Sequence, residues 1–185
     1  MEENQRRFYS HVDKFEGKFV GQLNSFEAIV TMAQSMTSIS NDVSNNDWQA
    51  FSSGIRWSGF PGILAISYAE RVRRNDLAAF SDRAKLLGAD NFEIKTLSNS
   101  TSAEAYVIRL IGPDAADADA LGLDLAADAS NRKILEWAML NGRITASTGS
   151  APIFFMQPKS SMLLVMAVYH RHSAPLTIED RRATT

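Results

Sequence analysis

The chain contains no cysteine. That single absence removes disulfides, thiolate metal sites and cysteine nucleophiles, and it leaves the redox compartment open. Histidine is scarce, with three in 185 residues, so acid–base or nucleophilic chemistry would rest on carboxylates and lysine. No apolar run approaches the roughly 20 residues of a membrane span, and the opening MEENQRRFYSHVDKF lacks the apolar stretch of a signal peptide. Charge of one sign is missing too. Nineteen Lys and Arg against 21 Asp and Glu give a net charge of −2, and the cations are scattered, so there is no electrostatic footprint for nucleic acid. Neither G-x-S-x-G, H-E-x-x-H nor G-x-x-x-x-G-K-[ST] occurs, and the small-residue loop STGSAP lacks the lysine of a phosphate loop.

What is present is ordinary globular usage, 45% apolar and 22% charged, enough to bury a core in one domain or one domain plus an extra element. Phe8, Val12, Phe15, Phe19, Leu23, Phe26, Ile29, Val30, Ala33 and Met36 recur at steps of three and four, a helix period longer than the core of a small domain needs. This helix is expected to be a stalk whose stripe both joins the core and meets a partner copy. A loop rich in Ser, Asn and Asp follows, with a short helix around Trp48 and Phe51. Next come a β-leaning run at 63–68, a helix burying Leu77, Phe80, Ala84 and Leu87 and stopped by Gly88, and a strand at 92–97. Further strands are expected at 105–111 and 121–125. Asp128 then caps a helix with Ile134, Leu135, Ala138 and Met139 inward and Gly142 past its end. Strand-like stretches at 143–147 and 153–156 precede 161–169, whose two alternating faces are both apolar, the mark of a central strand. TIEDRR near the end reads as a helix start. The class implied is α+β: a long N-terminal stalk helix, then a domain with a central antiparallel sheet flanked by helices.

The acidic connection GPDAADADALGLD does not suit a metal. Its Asp intervals of three, two and five, without a central glycine, miss the alternate-residue spacing of a calcium loop. Asp117 and Asp119 read as loop solvation, whereas Asp114 and Asp124 sit beside apolar strands and are free to face inward. His170 and His172 share a strand face but lack a third ligand nearby. A two-sided apolar strand with small-residue loops and inward Asp and Ser describes an apolar pocket with few polar groups, which favours a binding module over an enzyme. A carboxylate-based hydrolase and a stand-alone binding or dimerisation module without a small ligand are the rival readings.

YAERV at 68–72, AYVIRLIGPD at 105–114, LGLDLAADASNRKILEWAMLNGRITAS at 121–147, MLLVMAVY at 162–169 and PLTIEDRRATT at the end resemble, in order and spacing, the CHASE domain. This is the extracytoplasmic sensor of cytokinin receptor kinases and of bacterial histidine kinases and diguanylate cyclases. The resemblance implies a stalk at 1–40, a membrane-distal PAS-like ligand-binding domain at 41–172, and at 173–185 the start of a connection to a membrane-proximal PAS-like domain. It implies no catalysis in this piece, no cofactor and no metal. The expected setting is the periplasmic or extracellular part of a membrane-anchored two-component receptor or diguanylate cyclase. Its expected partners are a small organic ligand, adenine-type or other, and a second copy through the stalk.

Carried over residue by residue, the family's adenine-contacting Asp, eight residues after the strand Tyr, falls on Asp114 after Tyr106. Its pocket Thr falls on Ser147, five residues past Gly142, and its Gly eight residues before the strand-ending Tyr falls on Ser161. Tyr106, Tyr68, Leu123 and Met162 complete the expected ligand-binding set. Tyr106 is expected as pocket wall, Tyr68 as core or pocket, and Asp124 as architecture; Ser147 could instead cap a turn. Arg109 stands where the family is apolar. Either it faces the pocket, inviting an anionic ligand or pairing with Asp114 or Asp124, or it is a solvated strand residue, which is the preferred reading.

Overall fold

A computed structural model describes residues 2–39, 42–95, 102–113, 120–147, 162–169, 175 and 177–184. The apolar stripe at the N-terminus forms one helix, α1 (Glu2–Ile39), about 57 Å long at ~1.5 Å per residue. Its C-terminal part enters the core: Ile29 and Ala33 pack with Val43, Trp48, Ile66 and Leu110, whereas of the side chains described in its first half Tyr9, His11 and Val20 are exposed. Ser44 and Asp47 then close a reciprocal capping box, which starts α2 (Asn45–Gly54).

After a turn through Gly62 the chain enters β1 (Ile66–Arg73), and α3 (Leu77–Leu86) follows, burying Phe80 and Ala84 before Gly88 takes a positive φ. β2 (Glu104–Gly112) pairs antiparallel with β1. On its other edge, Leu123 and Asp124 bridge between β2 and Lys95: Ile108 N–H donates to the Leu123 carbonyl at 3.0 Å and Asp124 N–H to that of Lys95 at 3.1 Å. A side chain at Gly122, where φ is +81°, would collide with the Glu93 carbonyl, so glycine is what lets this segment lie against its neighbours.

The fully buried interior strand is therefore β2, in which every residue after Glu104 is buried. The sequence places the central strand at 161–169. Among the described residues of that stretch only β4 (Leu164–Val165) is in a ladder, with β3 (Thr145–Ala146). Apolarity on both faces has a different cause here: Ala167 and Tyr169 are buried, while Leu163 to Met166 are half-buried. The strands expected at 121–125 and 92–97 likewise reduce to single bridges at Leu123, Asp124 and Lys95 among the described residues. The stretch 153–156 lies outside them.

Between Tyr68 and Ala69 the register slips, because Tyr68 pairs with Leu110 and Ala69 with Ile108, leaving Arg109 as the extra residue of a β-bulge. The bulge keeps the two faces distinct despite the odd count. Tyr106, Ile108 and Ile111 pack with Leu123, Leu125 and Leu135. Ala105 and Val107 pack with Val72, Phe80, Ala84 and Phe92, and Leu110 joins the α1–α2 cluster. On the first face lies α4 (Ala129–Asn141), capped by the Asp128 carboxylate at the N–H groups of Ser130 and Asn131 and ended by Gly142 in the left-handed region. Helix α5 (Ile178–Thr184) closes the described chain, its start held by Thr177 and Asp180, whose side chains lie 2.6 Å apart.

Candidate functional site

A cavity of about 780 Å³ lies where α1, β1, β2, α4 and residues 162–168 meet. From α1 it takes Phe26, Ile29, Val30, Ala33, Gln34 and Thr37; from β2 it takes only Tyr106, Ile108 and Ile111, the residues of one face. Gln34 joins the helix to the opposite wall by donating from Nε2 to the Ala167 carbonyl at 2.7 Å. Leu135, Ala138 and Met139 form the α4 wall, and Met162 to Val168 the last. The lining is mostly apolar with a few polar side chains, the composition of a small-molecule site.

Of the seven residues expected to bind ligand, five are described, and three of these border the cavity: Tyr68, Tyr106 and Met162. Burial pushes both tyrosines up to about 12, with Glu70 adding to the effect at Tyr68, so each hydroxyl keeps its proton. The Tyr106 hydroxyl meets the Met139 sulphur at 3.9 Å. Met162 is half exposed at the rim. Leu123 is buried but belongs to the core layer beneath Tyr106 and Ile108, and it is not a lining residue. Ser147 is buried off the cavity: its N–H donates to the Leu163 carbonyl at 2.8 Å and its hydroxyl accepts from Leu163 N–H at 3.0 Å. It fixes the β3–β4 register. Asp114 and Ser161 lie outside the described residues, as do Asp117, Asp119, His170 and His172.

Asp124 is architectural. Its buried carboxylate accepts from the N–H groups of Tyr106 and Ala126, each at 3.0 Å, and pairs with Arg74 at 2.9 Å. Arg109 follows neither expected course. It is neither solvated nor in the cavity wall: 2% exposed, it turns to the Val107 face, where it pairs with Glu70 and donates to the Val43 carbonyl at 2.7 Å. Its guanidinium also lies 5.5 Å from the Tyr68 ring centre. Glu70 takes a second cation, Arg83. Plain alternation from Val107 puts Arg109 on this side; the bulge then carries Leu110 to the same side and returns Ile111 to the face of Ile108.

The motif YAERV contains two residues that the sequence reading passed over. Arg71, directly opposite Tyr106, is gripped by both oxygens of Glu104 at 2.8 Å and also donates from Nη1 to the Arg182 carbonyl at 2.6 Å. The hydrogen bonds it donates to Glu104 hold its pKa above the ordinary value. The second is Glu70. Both line the cavity; strand alternation from Tyr68 was a signal for Glu70, whereas Arg71 emerges only from its register opposite Tyr106. Among the described residues no three His, Asp or Glu side chains are placed to hold a metal, and no helix is long and apolar enough to cross a membrane.

Fold and cavity together define an α+β domain built around an apolar-walled chamber. The family model of the CHASE domain matches residues 41–185, and the chain belongs to that family. CHASE domains are extracytoplasmic sensory domains of signalling receptors, and the family is not a catalytic one. No curated protein matches the chain.

Proposed function

We propose that this chain is the ligand-sensing part of a transmembrane receptor, in which a small organic molecule occupies the chamber between α1, the β1–β2 sheet, α4 and residues 162–168. The observation that carries this reading is the volume and lining of that chamber within a CHASE domain. At about 780 Å³ it falls in the range of ligand pockets, about 300–1,000 Å³. In this reading residues 41–172 form a membrane-distal PAS-like domain on the stalk 1–40, and residues 173–185 lead toward a membrane-proximal one. The parent protein is anchored in the cell membrane with this part in the periplasm or outside the cell. Its output is a histidine kinase or a diguanylate cyclase, and two copies pair through α1. Asp114 supplies a carboxylate to the ligand, Tyr106, Tyr68 and Met162 supply walls, and Ser147 acts by holding Leu163 in place.

Binding changes output only by the difference in affinity for two receptor states. The element best placed to distinguish them at the exit is α5. It is tied to the chamber walls by Arg71 donating to the Arg182 carbonyl and Arg181 donating to the Leu140 carbonyl, both at 2.6 Å. Tyr169 secures the same end of α4 by donating to the Met139 carbonyl at 2.5 Å.

The test is thermal unfolding of the chain with saturating adenine derivatives, amino acids and organic acids. A ligand at a hundred times its dissociation constant stabilises by about 2.7 kcal/mol, several degrees for a chain of this size. Stabilisation lost in Asp114→Ala is the expected result. A flat response across a broad saturating panel would turn the assignment toward a binding or dimerisation module without a small ligand.

A further inference from the structure

The chamber has one corner where good hydrogen-bond donors meet a poor acceptor. The β1–β2 register sets Arg71 opposite Tyr106, and α4 brings Met139 between their tips. Arg71 Nη1 lies 3.6 Å and the Tyr106 hydroxyl 3.9 Å from the Met139 sulphur. Nη1 spends its other hydrogen on the Arg182 carbonyl; the Tyr106 hydroxyl has no oxygen or nitrogen partner among the described residues. A thioether accepts hydrogen bonds only weakly, and a buried donor served as poorly as the Tyr106 hydroxyl is uncommon in a folded protein; Arg71 is partly exposed. All three side chains line the chamber.

We infer that this corner receives the carbonyl oxygen of a neutral, largely apolar ligand, bonded by the Tyr106 hydroxyl and Arg71 Nη1 once the Met139 side chain moves aside. The inference rests on the ligand-sensing reading above and adds the chemistry of the ligand to it. Neutrality follows from the charges already present. Both Glu104 oxygens neutralise Arg71 at 2.8 Å, and Glu136 also acts on the same guanidinium, so a carboxylate would enter a corner with no spare positive charge. The acceptor must therefore be a ketone, amide or similar group. Methionine is the side chain best able to yield the space, being unbranched and flexible. Next to the corner, Ile108, Leu135 and Val165 ask for an apolar body, and the charges elsewhere in the lining, Glu70 and Arg83, are paired with each other.

The experiment measures binding of acetophenone, ethylbenzene and benzoate to the full chain by calorimetric titration, in the natural sequence and in Tyr106→Phe, which keeps the ring and the packing. Acetophenone should bind roughly tenfold more tightly than ethylbenzene, and more tightly than benzoate. In Tyr106→Phe most of that preference should vanish, with ethylbenzene affinity unchanged. Equal affinity for the ketone and the hydrocarbon, a preference for benzoate, or a ketone preference that survives Tyr106→Phe would overturn the corner while leaving a ligand-binding chamber in place. Failure of all three probes at saturating concentration would overturn the chamber as an apolar ligand site, and the corner with it.

Discussion

The two faces of β2 differ more than their sequence does. Ala105, Val107 and Leu110 on one side are sealed under α1, α2 and α3, and the charge that intrudes there, Arg109, is paired with Glu70 and bonded to a carbonyl. Tyr106, Ile108 and Ile111 on the other side look into the chamber. The sealed face pairs its intruding charge, though the Trp48 indole N–H finds no acceptor among the described residues; the open face borders a cavity of about 780 Å³. A strand buried on both sides thus serves as a core wall and as the floor of a site, and stability and recognition should separate when the faces are perturbed one at a time.

The largest effect is expected from the charge on the sealed face. Glu70→Ala leaves the Arg109 guanidinium, 2% exposed, without its carboxylate, and breaking a buried pair from one side costs about 3–5 kcal/mol. Urea unfolding should show that loss, and the double variant Glu70→Ala with Arg109→Met should recover much of it, since an apolar pair of similar volume tolerates the site. A single variant within about 1 kcal/mol of the parent would mean that Arg109 finds water and that the face is not sealed.

Packing offers the next contrast. Val107 and Ile108 are neighbours in sequence, 0% and 3% exposed, on opposite faces. Val107→Phe forces a larger side chain among Phe80, Phe92 and Ala84 and should cost about 1–3 kcal/mol. Ile108→Phe grows into the chamber and should stay within about 1 kcal/mol while abolishing ligand-induced thermal shifts. Equal costs at both positions would remove the distinction between floor and wall.

This contrast also marks how far the sequence could be read. The helix period of α1, the capping residues Asp128 and Gly142 of α4, and the helix behind Phe80 were legible because each depends on local spacing and capping chemistry. Residues 161–169 misled because apolarity on both faces signals burial, and burial against a chamber and a helix looks the same as burial inside a sheet. The ordered motifs gave the family, and with it Tyr106, Tyr68 and Met162 at the chamber. They did not give Arg71, whose role depends on a register shared with Tyr106, on Glu104 and on a carbonyl in α5, contacts spread over 111 residues of chain. Arg109 was misread in both directions for the same kind of reason: its partners, Glu70 in β1 and the Val43 carbonyl before α2, come from other elements that spacing within β2 does not reveal.

Alkaline pH should act through the two tyrosines that border the chamber. Tyr68 and Tyr106 have their pKa values pushed up from 10.0 to about 12 by burial, so the folded chain holds these protons more tightly than the unfolded chain. Their contribution is complete below pH 10 and is lost as pH rises from about 10 to 12. Unfolding curves taken across that window should fall in stability, and Tyr106→Phe should make the fall shallower. A carbonyl ligand bonded to the Tyr106 hydroxyl favours the protonated form further, so it should delay tyrosinate formation in difference absorbance; no delay with a bound ketone would count against contact at that hydroxyl.

The smallest effect is expected at the rim of the sealed face. Arg83 shares Glu70 with Arg109, yet its side chain is 42% exposed against 2% for Arg109. Two guanidiniums on one carboxylate look equivalent in a contact diagram, and solvent separates them. Water replaces the Arg83 partner when it is removed, and Glu70 keeps Arg109, so Arg83→Ala should cost no more than about 1 kcal/mol. That small loss should shrink further in high salt, because exposed pairs are screened, whereas the Glu70→Ala loss should persist. If Arg83→Ala proved as damaging as Glu70→Ala, the cluster would act as one buried unit that includes Arg83, and solvent would not separate its two guanidiniums.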